Sequence, residues 1–431
     1  MNEYNFETEA DFAIRMDEED PLASFRNSFH LPAGRVYMLG NSLGLMSDKA
    51  RNSVARVLDE WQRLAIGGWL GGDPPWFWMA EKTGEAAAPL VGAEPEEVIC
   101  SGSTTWNIHS MVSTFYEPSR ERTRIVAAAD DFSSDIYALK SQIGLKGLDW
   151  RDHLVLVDSG EHRLTDPGDI EAAITEDVVL AMLPSVFYRS GQLLDIGRLS
   201  AHAREKGVII GFDCSHSAGV IPHRFDRDDV DFAVWCGYKY LCGGPGSPAF
   251  LYLNSRHFDR NPGLAGWFGN VKKTQFELSP YFDHSRSAGG WQVSSPGILG
   301  AAGVEGALEV VRDAGMEKIR EKSLKMTSYL IFLADQILGD KPYDFEVVTP
   351  REPSARGGHV ALARNDDAFR IRESLETRGV VTDFRPPDII RIAPSPLYNT
   401  YREIREVVNR IKGIIDTGEY RHVSPERKII S

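Results

Sequence analysis

Cysteine is scarce in this chain: four in 431 residues, Cys100, Cys214, Cys236 and Cys242. No pair has C-x-x-C spacing and none stands in a histidine-rich tract, so a zinc site is not expected. Three lie at or near the ends of apolar runs, where an inert buried thiol is the usual outcome, and a reducing cytoplasm suits them. Basic charge is in deficit. Lys and Arg total 48 against 62 Asp and Glu, for a net charge of -14, which argues against a nucleic-acid partner. It leaves room for a local anion site, because net charge and local field are separate quantities. No apolar run approaches the roughly 20 residues that cross a bilayer, so no membrane partner is expected. The acidic stretch Met1 to Asp20 lacks the apolar core of a secretory signal. Repeats and low-complexity segments are absent too. What remains, at 42% hydrophobic and 26% charged residues, is the composition of a globular enzyme with one large and one smaller domain.

The pattern along the chain alternates strand and helix. Ser47 to Ile66 reads as a helix with Ser47 as cap and Val54, Val57, Leu58, Trp61, Leu64 and Ala65 on one apolar face. The runs Val178 to Leu183 and Val208 to Phe212 are continuously apolar, as strands buried on both faces should be, and the helical stretch Leu193 to Lys206 lies between them. Val98 to Cys100, Phe232 to Cys236 and Ala249 to Leu253 add strands. Such βαβ units imply an α/β fold with a mainly parallel sheet covered by helices. After about Ala301 the pattern changes. One long helix, over Ile319 to Ile337, precedes short strands at Phe345 to Thr349, His359 to Ala363, Val380 to Phe384 and Ile389 to Ala393. Helices at Asp367 to Arg378 and Tyr401 to Ile415 complete a smaller α+β domain.

Chemistry collects at the ends of these strands. Lys239 lies in Trp235-Cys236-Gly237-Tyr238-Lys239-Tyr240-Leu241, between a strand and the glycine-rich Gly243 to Gly246. An amine among aromatic and apolar neighbours should have a lowered pKa and so be available as a nucleophile toward a carbonyl cofactor. A solvated lysine at a strand end is the plainer alternative. The turn Ser101-Gly102-Ser103-Thr104-Thr105 opens a helix and fits either a phosphate or a simple helix cap. Asp213, ending a buried strand ahead of His216, needs a partner, and a pyridinium nitrogen is a good one. Asp131-Phe132-Ser133-Ser134-Asp135 offers a ring to stack and a second acid, or else a capped helix start. Arg391, inside the apolar run Ile389 to Ala393, can grip a carboxylate or form a structural ion pair. Phosphate cradle, ring stack, pyridinium acid, nucleophilic lysine and carboxylate arginine together point to pyridoxal 5'-phosphate acting on an amino acid.

Over nearly its whole length the chain resembles the kynureninases, fold-type-I pyridoxal-phosphate enzymes of the class V aminotransferase superfamily. The resemblance is carried by Leu39-Gly40-Asn41-Ser42-Leu43-Gly44-Leu45, Phe132-Ser133-Ser134-Asp135, Gly211-Phe212-Asp213-Cys214-Ser215-His216, Tyr238-Lys239-Tyr240-Leu241, Gly266-Trp267-Phe268-Gly269 and Arg391-Ile392-Ala393-Pro394-Ser395-Pro396-Leu397-Tyr398-Asn399. It implies a seven-stranded sheet in a large cofactor-binding domain over 46–300, a small domain over 301–431, and an N-terminal segment, 1–45, packed on the small domain. It implies that Lys239 bonds the cofactor and later moves the Cα proton, that Thr104 and Thr105 meet the phosphate, and that Phe132 stacks on the ring. Asp135, Asp213 and His216 would surround the ring's polar edge. Tyr238 would bind phosphate and pass a proton to the β-carbon, while Arg391, with Ser42 and Trp69, would hold the substrate. Trp267 and Ser295 would come from the partner in a homodimer. The implied reaction splits Cβ–Cγ of L-kynurenine to anthranilate and L-alanine.

The chain departs from the family pattern in places. Ser295 stands where members often carry Asn or Thr. Trp69 and Asn270 replace histidines of animal members that prefer the 3-hydroxy substrate, which points to the unhydroxylated one. Rival readings within the same fold are a cysteine desulfurase and a small-group lyase or epimerase. A desulfurase needs a downstream nucleophilic cysteine, and none follows Cys242. A dehydrogenase is argued against by the prolines of Gly244-Pro245-Gly246-Ser247-Pro248-Ala249 and by the strand that follows them. A non-catalytic pyridoxal-phosphate-binding regulator is argued against by the intact Arg391 and by the lack of a DNA-binding segment.

Overall fold

The computed structural model describes residues 5–160 and 163–426. The start of the acidic N-terminal stretch and the end of the polar tail lie outside the described residues. A seven-stranded sheet forms the frame, in the spatial order Val98–Cys100, Ala249–Leu253, Phe232–Cys236, Ile209–Asp213, Val178–Pro184, Arg124–Ala128 and Leu154–Val157. Only Ala249–Leu253 runs against the others; it is antiparallel to both of its neighbours. The central strands are apolar almost throughout because helices and loops cover both faces, leaving no face for polar alternation. One apolar cluster on the sheet contains Phe212, Trp235 and Phe250, and another contains Val234, Phe232 and Leu251. Residues adjacent along a strand thus point to opposite faces.

A four-stranded antiparallel sheet, ordered Asp383–Arg385, Ile389–Ile392, Val360–Ala363 and Glu346–Val347, packs against the helices Met316–Leu338, Ala368–Thr377 and Tyr401–Thr417. Its apolar cluster also takes in Phe6, Ala13, Met16, Val36 and Met38 from the start of the chain. Val36–Tyr37 pairs in parallel with Val380–Val381.

Two sequence expectations need correction. The helix expected from Leu193 starts at Ile196, because the Asp195 carboxylate caps it by accepting from Arg198 N at 3.0 Å, while Leu193 pairs with Val186. The strand expected over Val380 to Phe384 is two strands, Val380–Val381 and Asp383–Arg385, belonging to different sheets. The helix near Ser47, observed as Asp48–Leu64, is capped by Ser47 as expected. Its apolar face is not uniformly covered, however: Val57 is buried while Leu58 and Trp61 are 47% and 59% exposed. The buried stripe runs through Ala50, Val57 and Glu60, and the apolar face is wider than that stripe.

Candidate active site

The parallel strands deliver their carboxyl ends to one edge of the sheet, where ligands of open α/β sheets bind. A cavity there has an empty volume of about 510 Å³ and is lined by Ser103, Thr104, Thr105, Phe132, Asp135, Asp213, Ser215, Cys236, Tyr238, Lys239, Ser247 and Ala249. Six sequence-nominated residues therefore share a wall with Lys239: Thr104, Thr105, Phe132, Asp135, Asp213 and Tyr238.

The loop bearing Lys239 is fixed by backbone bonds. Cys242 N donates to Lys239 O at 2.9 Å and Gly243 N donates to Gly237 O at 2.8 Å. From the far end of the chain, Gly44 N donates to Tyr238 O at 2.8 Å. A Cβ on Gly44 would collide with both Lys239 O and Cys242 Sγ, so only glycine allows that approach. The Tyr238 phenol is pushed up above its usual range by burial and then by neighbouring Cys236, so it stays protonated and able to donate.

Thr104 begins the helix Thr104–Phe115, capped by Ser103 Oγ, which accepts from Trp106 N at 3.3 Å. Thr105 Oγ1 shares a 2.6 Å hydrogen bond with Ser134 Oγ, tying this helix to the next, Ser133–Leu145. Phe132 is half exposed and meets Tyr188 edge-on at 5.6 Å. The carboxylates form a close group. Asp213 Oδ1 accepts from Ser215 N at 2.7 Å. Burial, and next the Asp213 charge, push Asp131 and Asp135 well above the usual carboxylate range. The His216 imidazole lies 5.8 Å from that of His359, centroid to centroid, and burial followed by the Lys239 charge holds His216 well below its ordinary range.

Arg391 is fully buried, and most of its guanidinium is occupied. Nε donates to Asp383 Oδ1 at 2.8 Å, Nη1 to Tyr188 O at 2.6 Å, and Nη2 to Ser42 Oγ at 3.3 Å and to Asp383 Oδ2. The two-pronged grip that the resemblance implies for a substrate carboxylate is held by Asp383, which leaves the Nη1 edge for any further acceptor. Ser42 Oγ also donates to Asp383 Oδ2, at 3.1 Å. Asp383 escaped the sequence reading, although the Pro386-Pro387 turn between two short apolar strands was a signal that residues 383 and 391 face each other. Ser247 and His359 were also missed, neither having a pattern of its own, and Cys236 was named only within the run around Lys239.

Trp69, Trp267 and Ser295 do not line this cavity in their own chain. Trp69 packs on Trp76 and on Phe268, whose ring also meets Trp267. Trp267 is 46% exposed, and Ser295 is exposed too.

Does the wall suit a phosphorylated pyridine aldehyde? Buried Asp135 Oδ2, Asp131 Oδ2 and His216 Nδ1 have no hydrogen-bond partner, which marks polar groups made for something else. An amine, a helix N-terminus with two threonines, a ring face and an acid at the opposite side complete the set, and the residues fit the group.

Comparison with known proteins agrees. Residues 319–411 match the model of the kynureninase C-terminal domain, and residues 78–353 match that of the class-V aminotransferases. The chain is 47% identical over 431 residues to a kynureninase of Geobacillus thermodenitrificans, covering 100% of both chains. It is 44% identical over 421 residues to a kynureninase of Shouchella clausii, covering 98% of each. The chain belongs to the kynureninase family. As a kynureninase-family enzyme it uses pyridoxal phosphate and is a hydrolase of carbon–carbon bonds. Among solved structures, the cysteine desulfurase of Thermococcus onnurineus NA1 aligns with a TM-score of 0.77 at 16% identity, covering 91% of this chain and 98% of that one. A mutant of C-DES with glycine covalently linked to the pyridoxal-phosphate cofactor aligns with a TM-score of 0.79 at 17% identity, covering 90% of this chain and 98% of that one. At such identities the likeness speaks for the fold.

Proposed function

We propose that this chain cleaves L-kynurenine between Cβ and Cγ, releasing anthranilate and L-alanine, as a cytoplasmic homodimer whose sites each draw Trp267 and Ser295 from the other protomer. The observation that carries this is the convergence of Lys239, Asp213 and the Thr104 helix N-terminus on one cavity; Arg391, on the second sheet, does not line that cavity, but its charge and that of Lys239 both act on His216. Among the described residues no helix is long and apolar enough to cross a membrane. The acidic charge balance favours a small-molecule substrate over nucleic acid.

Pyridoxal phosphate, when bound, supplies an aldehyde that captures an amino group and a ring that accepts the electrons of a bond broken beside it. Lys239 would hold the aldehyde carbon, Thr104 and Thr105 the phosphate, Phe132 a ring face, and Asp213 the ring nitrogen. Asp135 and His216 would meet the remaining polar edge. The Lys239 amine would take the proton from Cα and give it back to Cα once the bond is broken. Water would add its hydroxyl to the γ-carbonyl carbon, Cβ–Cγ would break with Cγ leaving as the aromatic carboxylate, and the proton left from water would replace the one Tyr238 gives up. Tyr238, kept protonated by its burial, gives the proton that turns Cβ into a methyl group. Arg391 Nη1 anchors the α-carboxylate, and Ser42 steadies the guanidinium from behind.

The test is a spectrum followed by an assay. The holoenzyme should absorb in the visible, lose that band in Lys239→Ala, and release fluorescent anthranilate from L-kynurenine. A band without anthranilate would leave the cofactor and overturn the substrate. With Trp69 and Asn270 at the histidine positions, kcat/KM should be lower for 3-hydroxykynurenine; a higher value would overturn that preference.

A further inference from the structure

The turn Trp267–Gly269 is followed by a lysine that points inward. The Lys272 side chain is 10% exposed, and its Nζ lies 4.1 Å from the ring centroid of Phe268 and 4.6 Å from that of Phe77. Its ion partner is Glu81 Oε1 at 3.3 Å, an oxygen that also accepts from Gln292 Nε2 at 2.8 Å. Trp267 stands edge-on to Phe268 at 5.5 Å and to Phe276 at 5.3 Å, and Phe276 leans on Phe77 at 5.8 Å. Both rings beneath the indole therefore rest on the same ammonium, one directly and one through Phe77. The turn itself is pressed onto its neighbour, since a Cβ on Gly269 would collide with Gly290 O.

A charge is an expensive filler for an aromatic box. Burial lowers the pKa of Lys272 against the opposing pull of Glu81, and a methionine would pack the same space without that cost. What the cation adds is direction: it attracts ring faces and not ring edges, and so fixes the planes of Phe268 and Phe77. The two edge-on contacts, together with the 3.0 Å hydrogen bond that Trp267 Nε1 donates to Gln275 O, then fix the indole. Trp267 is 46% exposed and does not line the cavity of its own chain, so the orientation set here is presented outward.

We propose that Lys272 is a positioning residue for the reaction: its ammonium sets the plane of Trp267 and, through it, the cofactor site of the neighbouring protomer. This rests on Trp267 serving the partner, as proposed above. Hybrid dimers of the holoenzyme separate the two ideas. In Lys272→Met homodimers the cofactor should bind about tenfold more weakly, with Lys272→Arg restoring most of the loss. Next, Lys272→Met protomers are paired with Lys239→Ala protomers. The one lysine-bearing site then receives an intact Trp267 loop, and its cofactor affinity should equal that of the wild type. Pairing a Lys239→Ala, Lys272→Met double variant with a wild-type protomer gives that site the altered loop, and it should show the full tenfold loss. The reverse pattern, or unaltered affinity in Lys272→Met homodimers, overturns the role of Lys272. A holoenzyme that sediments as an active monomer overturns the shared site, and the proposal with it. If Lys272→Met fails to fold, the same pairings with Lys272→Arg and Lys272→Gln decide the matter by the rank order of affinities.

Discussion

Asp383 and Arg391 face each other directly across two antiparallel strands and form a paired ion bridge, Nε to Oδ1 at 2.8 Å, with both side chains buried. Although burial opposes it, the Arg391 charge holds Asp383 below its usual carboxylate range. Asp383→Ala strands a buried guanidinium and should cost about 3–5 kcal/mol in urea unfolding. Asp383→Asn keeps one acceptor and should fold. Its KM for L-kynurenine should rise about tenfold, with kcat changed less, because the arginine loses its aim. Equal kinetics in Asp383→Asn and wild type would remove Asp383 from substrate binding.

Tyr238→Phe removes a half-buried, protonated hydroxyl from the cavity wall and leaves the ring. Steady-state kcat should fall about 10²- to 10⁴-fold, the range for a lost general acid. Lys239→Ala should abolish turnover altogether, and its thermal transition without cofactor should stay near that of the apoenzyme.

Gly44→Ala places a methyl group against Lys239 O and Cys242 Sγ. Overpacking of this kind costs about 1–3 kcal/mol, and here it displaces the lysine loop itself. Cofactor affinity should drop along with stability, measured by titration and by thermal melting. Loss of stability alone would show that the loop absorbs the methyl group without moving Lys239.

His223 is buried against Phe225, with Nε2 at 2.8 Å from Ser217 Oγ, and burial pushes its pKa from 6.5 to about 4. The unfolded chain binds this proton first as the pH drops. The native state is therefore favoured above the unfolded pKa, and that contribution is lost between pH 6.5 and about 4. The loss is about 3 kcal/mol for this residue alone. His223→Gln should flatten the stability profile in that window, and an unchanged slope would assign the acid sensitivity elsewhere.

Much of the fold was legible because strands buried on both faces are hard to mistake: Val178 to Leu183 and Phe232 to Cys236 allow no other partner than a covered sheet. The cavity was legible where a residue type is costly without a ligand, as with Asp213 at a buried strand end. Arg391 was visible for the same reason, yet its partner was not, because pairing across a hairpin depends on register. The reversal of Ala249–Leu253 was illegible too, since an apolar run has no direction. Leu58 and Trp61 lie on an apolar face and are nonetheless exposed: periodicity reports which face is apolar, not what covers it.

Lys239 hangs from the large sheet, and Arg391 projects from the small one. A substrate whose amine goes to the cofactor carbon that Lys239 would hold, and whose carboxylate goes to Arg391, would be measured by the gap between the two sheets. The cleft would then work as a caliper for α-amino acids. A β-amino acid is one carbon too long for the jaws, and an amine without a carboxylate reaches only one of them.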